Sequence, residues 1–204
     1  MTGVGGYPVQ VTVTQDRDVN RLWGIPFIGV MVRFILAIPL FLILLVYAIG
    51  LGLGMIVVWI PILFLGKVPG WWCGLVTSVV SRQSQIGAYI ALMPGGYPPF
   101  GGGQGGAVTV TVPDGGGPIG RLWGIPYFGL LAREIALIPH LIVLLVLEIV
   151  LYVLMLVLWI PILINGKYPE FGIKFMGLFL RYAARVAGWM LFLPAPYPPF
   201  DFDM

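Results

Sequence analysis

Two stretches of this chain, RLWGIPFIG at 21–29 and RLWGIPYFG at 121–129, decide how it is organised. They are nearly identical and lie one hundred positions apart. The register continues without a gap, because WIPIL at 59–63 returns at 159–163. Rare Trp and Pro residues that recur in register over this length indicate a duplicated unit. We therefore expect two tandem copies of one unit.

The composition predicts that both copies lie in a membrane. Hydrophobic residues make up 59% of the chain, charged residues make up 9%, and mean hydropathy is +1.00. A soluble domain carries about 25% charged residues, so this chain has too few charges to cover a surface that faces water. The net charge of +3 comes from Lys and Arg that flank apolar runs. This pattern is typical of the cytoplasmic ends of membrane helices and argues against nucleic-acid binding.

Each copy holds one long apolar run, at 27–65 in the first and at 127–165 in the second. As one straight helix, either run would be about 58 Å long, whereas the hydrocarbon core of a bilayer is about 30 Å thick. We therefore predict a transmembrane helical hairpin in each copy. The predicted turns are the glycine-containing segment YAIGLGLGM at 47–55 and the segment EIVLYVLM at 148–155.

Shorter segments flank the predicted hairpins. The alternating sequences VQVTVT at 9–14 and AVTVTV at 107–112 predict β-strands that pair with each other or with another subunit. Residues 70–93 and 170–193 predict amphipathic helices that lie in the membrane interface. The predicted fold is an all-α membrane protein with two tandem transmembrane helical hairpins. An amphipathic interfacial helix follows each hairpin, and a short β-strand precedes each copy.

The basic residues beside the hairpins predict the topology. With two crossings per copy, Arg21, Lys67, Arg121 and Lys167 all face one side of the membrane. Three crossings per copy would invert the second copy and separate these charges, which the positive-inside rule disfavours. We therefore expect both termini to be cytoplasmic and the copies to be related by a pseudo-twofold axis along the membrane normal. The first membrane repeat then spans 1–100 and the second spans 101–204.

The repeated motifs resemble a bacterial membrane family known as domain-of-unknown-function family 4389. The resemblance rests on the Trp-Gly-Ile-Pro start, an Ile-Pro within the first helix, a Gly-Lys-x-Pro and a closing Tyr-Pro-Pro-Phe. It covers both copies, and the second copy, with IPH at 138–140 and NGKYP at 165–169, is the more similar. The first copy departs from the pattern with Leu40 and Val68. The resemblance implies an uncharacterised multi-pass protein of the bacterial cytoplasmic (inner) membrane and carries over no catalytic residues.

His140 is the only histidine of the chain, and it follows Pro139 inside an apolar run. Intramembrane ionisable residues are functional candidates, and one imidazole nitrogen is enough for an axial ligand of haem or a pigment. The alternative is a neutral histidine that bonds a backbone carbonyl freed by Pro139. No cofactor is required by the sequence. The single cysteine, Cys73, excludes a cysteine-based metal cage.

Two other kinds of polar residue qualify as site candidates. Glu148 and Tyr152 follow His140 at helical spacing and suggest a polar path, although Glu148 falls where the hairpin should turn, which favours a solvated hairpin tip. The basic residues near the membrane surface are expected to contact lipid headgroups or the interface. They are Arg33, Arg133, Lys67, Lys167, Arg181 and Arg185.

No catalytic constellation is visible, so we do not expect an enzyme. The first hypothesis is an accessory or scaffold subunit of a larger membrane complex or of a homo-oligomer, with lipids and other membrane subunits or itself as partners. The second is a channel or small-solute transporter, since transporters often contain duplicated membrane units. The third is a haem- or pigment-holding subunit that uses His140.

Overall fold

The fold is mostly helical, with a small two-stranded sheet. The computed structural model describes residues 7–101, 106–112 and 116–201. Each copy begins with a short 3₁₀ turn, which we call the leading turn. The elements in chain order are β1 (Gln10–Val13), leading turn 1 (Arg21–Gly24), α1 (Ile28–Leu36), α2 (Ile38–Leu65), α3 (Gly70–Ile90), β2 (Val108–Thr111), leading turn 2 (Arg121–Gly124), α4 (Phe128–Asn165) and α5 (Glu170–Met190).

The long apolar runs form long helices, which corrects the predicted hairpins. In the second copy α4 continues from Phe128 to Asn165 without a break, through the segment where a turn was expected. In the first copy the only interruption is Ala37, between α1 and α2. The actual helical hairpin of each copy pairs the long helix with the third segment. Thus α2 packs along α3, and α4 packs along α5.

One glycine of the expected turn, Gly54, has a packing role. A Cβ placed on Gly54 would lie 2.7 Å from Cζ3 of Trp72, so this glycine makes room for the Trp72 ring of α3. The long helices end instead at Gly66 and Gly166, which adopt left-handed backbone angles with φ of 64° and 67°. Glycine is the usual residue at this position because it has no Cβ to strain.

The third segments of the two copies form the centre of the molecule, where α3 and α5 pack side by side in antiparallel orientation. The Trp72 indole donates to the Leu191 carbonyl at 2.7 Å, and the Tyr168 hydroxyl donates to the Ala91 carbonyl at 3.0 Å. These two bonds join the start of each helix to the end of the other. Helices form within both predicted segments, at Gly70–Ile90 and Glu170–Met190, and their location in the membrane interface stays a prediction.

The predicted strands pair with each other and cover the central helices. β1 and β2 are antiparallel, with Val11 opposite Val110. Val9, Val11, Val108 and Val110 are buried against α3 and α5, whereas the alternate residues Gln10 and Thr12 are exposed. This alternation is typical of a sheet with one face on the core and the other in a polar environment.

Each leading turn docks on the long helix of the other copy. A Cβ on Gly124 would lie 2.7 Å from Cα of Leu63, and one on Gly24 would lie 2.7 Å from Cα of Leu163. The backbones are therefore in direct contact, which only glycine allows. This exchange explains why RLWG recurs in the sequence: both turns fit the same kind of surface on the opposite copy.

The long helices lie at the outside of the fold and expose most of their apolar residues. Ile38–Leu65 and Phe128–Asn165 are long and apolar enough to cross a membrane, with mean hydropathy of 2.7 and 3.2. Only 6% of each most hydrophobic window is buried inside the protein. A core helix of a soluble protein is mostly buried, so this exposure weakly suggests a membrane location.

Candidate functional site

Arg33 and Arg133 are buried inside the protein. The sequence predicts that they contact lipid headgroups, and this prediction is wrong for both residues. Arg33 Nη1 donates to the carbonyls of Tyr89 at 2.8 Å and Met93 at 3.1 Å, at the end of α3. Arg133 Nη1 donates to the Trp189 carbonyl at the end of α5. The last carbonyls of a helix have no partner within the helix, and a cation is favourable there. These arginines therefore cap the central helices.

Aromatic rings enclose both guanidinium groups. Cζ of Arg33 lies 4.8 Å from the centres of the Trp23 and Tyr89 rings, and Cζ of Arg133 lies 4.5 Å from the Trp189 ring. Such cation–π contacts are strongest where water is excluded. Trp23 belongs to leading turn 1 and Trp123 to leading turn 2, and Cζ of Arg133 lies 4.8 Å from the Trp123 ring. The arginines therefore fix each leading turn to the end of the central helix of its own copy.

The Tyr-Pro-Pro-Phe motifs return to the long helices of their own copies. The Tyr97 hydroxyl donates to the Leu36 carbonyl at 3.0 Å, and the Tyr197 hydroxyl donates to the Ala136 carbonyl at 2.7 Å. Both carbonyls lie three residues before Pro39 or Pro139, next to the carbonyls of Ile35 and Ile135, which the missing proline N–H would otherwise bond. The tyrosines therefore supply donors one residue away from the carbonyls that the prolines leave unpaired.

His140 lies in an aromatic cluster of the second copy, and the first copy has Leu40 at the equivalent position. Its ring is fully buried, stacks on Phe200 with ring centres 4.1 Å apart, and meets Tyr197 edge to face at 4.8 Å. Nδ1 lies 2.6 Å from the Tyr182 hydroxyl, so His140 bonds a side chain and not the carbonyl expected from Pro139. Nε2 is buried without a hydrogen-bond partner among the described residues. A porphyrin-sized group can reach Nε2 only if the residues packed around the His140 ring move.

The suggested polar path is not assembled. Glu148 and Tyr152 are exposed on the outside of α4, where the Tyr152 hydroxyl donates to Oε1 of Glu148 at 3.1 Å. His140 points inward, so the three side chains do not share one environment. The described part of the chain also contains no group of three or more His, Cys, Asp or Glu side chains that could hold a metal ion.

The remaining basic candidates have different surroundings. Lys67 and Lys167 are exposed at the ends of the long helices, Arg181 is partly buried, and Arg185 is buried with its guanidinium 5.5 Å from the Tyr7 ring. Burial raises the pKa of Tyr7 to about 12, and the charge of Arg185 opposes this rise. Headgroup contact therefore stays a prediction for the exposed residues.

The four basic flanks form two separate pairs. Arg121 packs over Gly66 beside Lys67, and Arg21 packs over Gly166 beside Lys167. Because α3 and α5 are antiparallel, the two pairs lie at opposite ends of the central helix pair. Both pairs reach one membrane surface only if α3 and α5 lie along that surface, as the amphipathic third segments predict.

An apolar groove lies between α2 and the start of the second copy. It has a volume of about 350 Å³ and is lined by Gly52, Trp59, Ile62, Trp123 and Phe192, among others. Ile56 and Tyr127, which also line it, are largely exposed, so the groove opens on the outer apolar surface. Sequence reasoning missed this groove because it interpreted Gly52 as part of a turn.

Comparison with known proteins supports the family resemblance for the second copy. The sequence model of the family described as Domain of unknown function (DUF4389) matches residues 129–201. These residues contain most of α4, all of α5 and the closing tail. The match does not extend to the first copy. No curated protein matches the chain, and no solved structure matches it either.

Proposed function

We propose that this chain is a non-catalytic integral membrane protein that acts as an accessory or scaffold subunit of a larger membrane complex or of a homo-oligomer. The observation that carries the proposal is the continuous apolar stripe along the outside of the long helices. In α2 alone it includes Leu42, Leu45, Ile49, Leu53 and Ile56, all more than half exposed. Water does not tolerate a surface of this size, so lipid or partner helices must cover it.

The use of the buried polar groups also favours a structural role. Arg33 and Arg133 bind helix-end carbonyls, and His140 meets Tyr182. Arg82 donates to the Phe100 carbonyl at 2.8 Å. Side chains that bond within the fold hold its shape and are not free to bind a substrate.

We place the protein in the bacterial cytoplasmic (inner) membrane with both termini on the cytoplasmic side. The Tyr7 hydroxyl donates to the Pro196 carbonyl at 3.0 Å, which supports termini on a common side. The predicted topology with two membrane crossings per copy required a helical hairpin within each long apolar run. The long helices do not turn there, so this topology is not part of the proposal. Reporter fusions at either terminus test the sidedness: both fusions should report the cytoplasm, and opposite signals would refute a common side.

Purification in mild detergent tests the role as a subunit. We expect the chain, of 22.3 kDa, to resist alkaline carbonate extraction and to migrate as a particle heavier than one detergent-bound copy. Ile49→Trp and Leu53→Trp on the outer stripe should change the mass of that particle, whereas Gln10→Trp on the exposed sheet face should not. A monomer that binds nothing would refute the proposal. An absorbance band that disappears in His140→Ala would favour the haem- or pigment-holding alternative.

A further inference from the structure

We propose that the groove between α2 and leading turn 2 binds one anionic phospholipid, with its acyl chain in the groove and its phosphate beside Lys67 and Arg121. The inference rests on the proposed membrane location. The occupant must have an apolar part, because Trp, Ile, Met, Leu and Phe side chains line most of the groove. The groove opens on the surface that we assign to the bilayer, so a lipid is the apolar molecule that reaches it.

The charges at one end of the groove select the headgroup. Arg121 precedes the groove residue Trp123 in leading turn 2, and its side chain packs over Gly66, next to Lys67. Both cations are exposed, and neither has an ion-pair partner among the residues that the structure describes. A phosphate here would meet two positive charges without displacing an acidic side chain.

The second copy provides a natural comparison, because its equivalent surface has a different residue at the position of Gly52 and different charged residues beside its basic pair. Tyr152 replaces Gly52, and a Cβ on Gly52 would meet nothing within 4 Å. The glycine therefore leaves space beside α2, whereas the larger Tyr152 is exposed on the outside of α4 at the equivalent position. At the basic end, Asp18 pairs by backbone with Lys167 where Pro118 pairs with Lys67, and Glu170 stands where the first copy has Gly70. The second copy thus has a bulkier residue at the groove position and acidic residues near its basic pair.

Native mass spectrometry of the delipidated protein tests the proposal. The probes are phosphatidylglycerol and phosphatidylcholine with the same acyl chains, added to the full chain in detergent. We expect one phosphatidylglycerol to be retained in preference to phosphatidylcholine. One basic residue near a membrane surface contributes roughly a fivefold preference for anionic lipid. In the double variant K67Q/R121Q, the preference for phosphatidylglycerol over phosphatidylcholine should therefore fall by about 25-fold.

Matched variants separate the groove from general electrostatic attraction. The control K167Q/R21Q removes the same charge from the second copy and should retain phosphatidylglycerol as the wild type does. Gly52→Tyr should reduce retention of both lipids, because the aromatic ring fills the groove. Equal losses in the two double variants, or equal retention of the two lipids by the wild type, would overturn the proposal. A chain released by carbonate extraction would instead refute the membrane location itself.

Discussion

Gly124→Ala tests the docking of leading turn 2 on the long helix of the first copy. The added Cβ would lie 2.7 Å from Cα of Leu63, and carbon atoms in favourable contact are about 3.5–4.0 Å apart. The turn must therefore move about 1 Å away from α2. Overpacking of this kind costs about 1–3 kcal/mol, and we expect the upper half of this range because the obstacle is backbone.

The assay is thermal unfolding followed by circular dichroism at 222 nm, at one scan rate and in one detergent. For a chain of this size, 1 kcal/mol shifts Tm by roughly 2–4 °C, so Gly124→Ala should lower Tm by about 5–10 °C. Gly24→Ala meets Leu163 in the same way and should cost as much. The control is Gly74→Ala in α3, where the new Cβ meets nothing within 4 Å.

The control has the opposite expected sign. Alanine is about 1 kcal/mol more favourable than glycine inside a helix, so Gly74→Ala should raise Tm slightly. If Gly124→Ala melts at the wild-type temperature or above it, the two copies do not dock through this turn. The reasoning that RLWG recurs because of this contact would then be refuted.

Three further changes test other contacts. Arg133→Gln should destabilise the protein by about 2–4 kcal/mol, because it removes a charge-assisted hydrogen bond and the contacts with the aromatic rings. The control is Arg121→Gln at the surface, which should change the stability by less than about 0.5 kcal/mol in the same melts. Tyr197→Phe removes one hydrogen bond and should cost about 1 kcal/mol; an unchanged Tm would contradict that bond. Burial raises the pKa of Tyr7 from the ordinary value of 10.0 to about 12, so the folded state keeps the hydroxyl proton at a higher pH than the unfolded state. The resulting contribution to stability is complete below pH 10 and is lost as pH rises towards 12. Tyr7→Phe should therefore flatten the fall of Tm above pH 10, and an equally steep fall in both proteins would reject this assignment.

The sequence predicts the local elements well because their signals are local. The alternating Val and Thr residues at 9–14 and 107–112 do form strands, and the third segments do form helices. The repeat is inferred from Trp, Pro and Gly residues that recur in register. None of these inferences requires knowledge of which surfaces meet.

The errors concern side chains whose partners lie far away in the chain. From the sequence alone, Gly54 indicates a turn, whereas in the structure it makes room for the ring of Trp72. Arg33 indicates a headgroup contact because the helix-end carbonyls that it binds, at Tyr89 and Met93, cannot be identified from periodicity. In both cases a tertiary contact determines the role, and the sequence pattern around the residue is compatible with either reading.

The exchange of leading turns between copies also has a consequence for biosynthesis. When the ribosome has completed the first copy, leading turn 1 has been made, but its docking surface around Leu163 has not. The backbone surface of leading turn 1 therefore stays uncovered until α4 has been made. Each leading turn needs the long helix of the other half for its contact, so the chain reaches its final packing only after the second half has been translated.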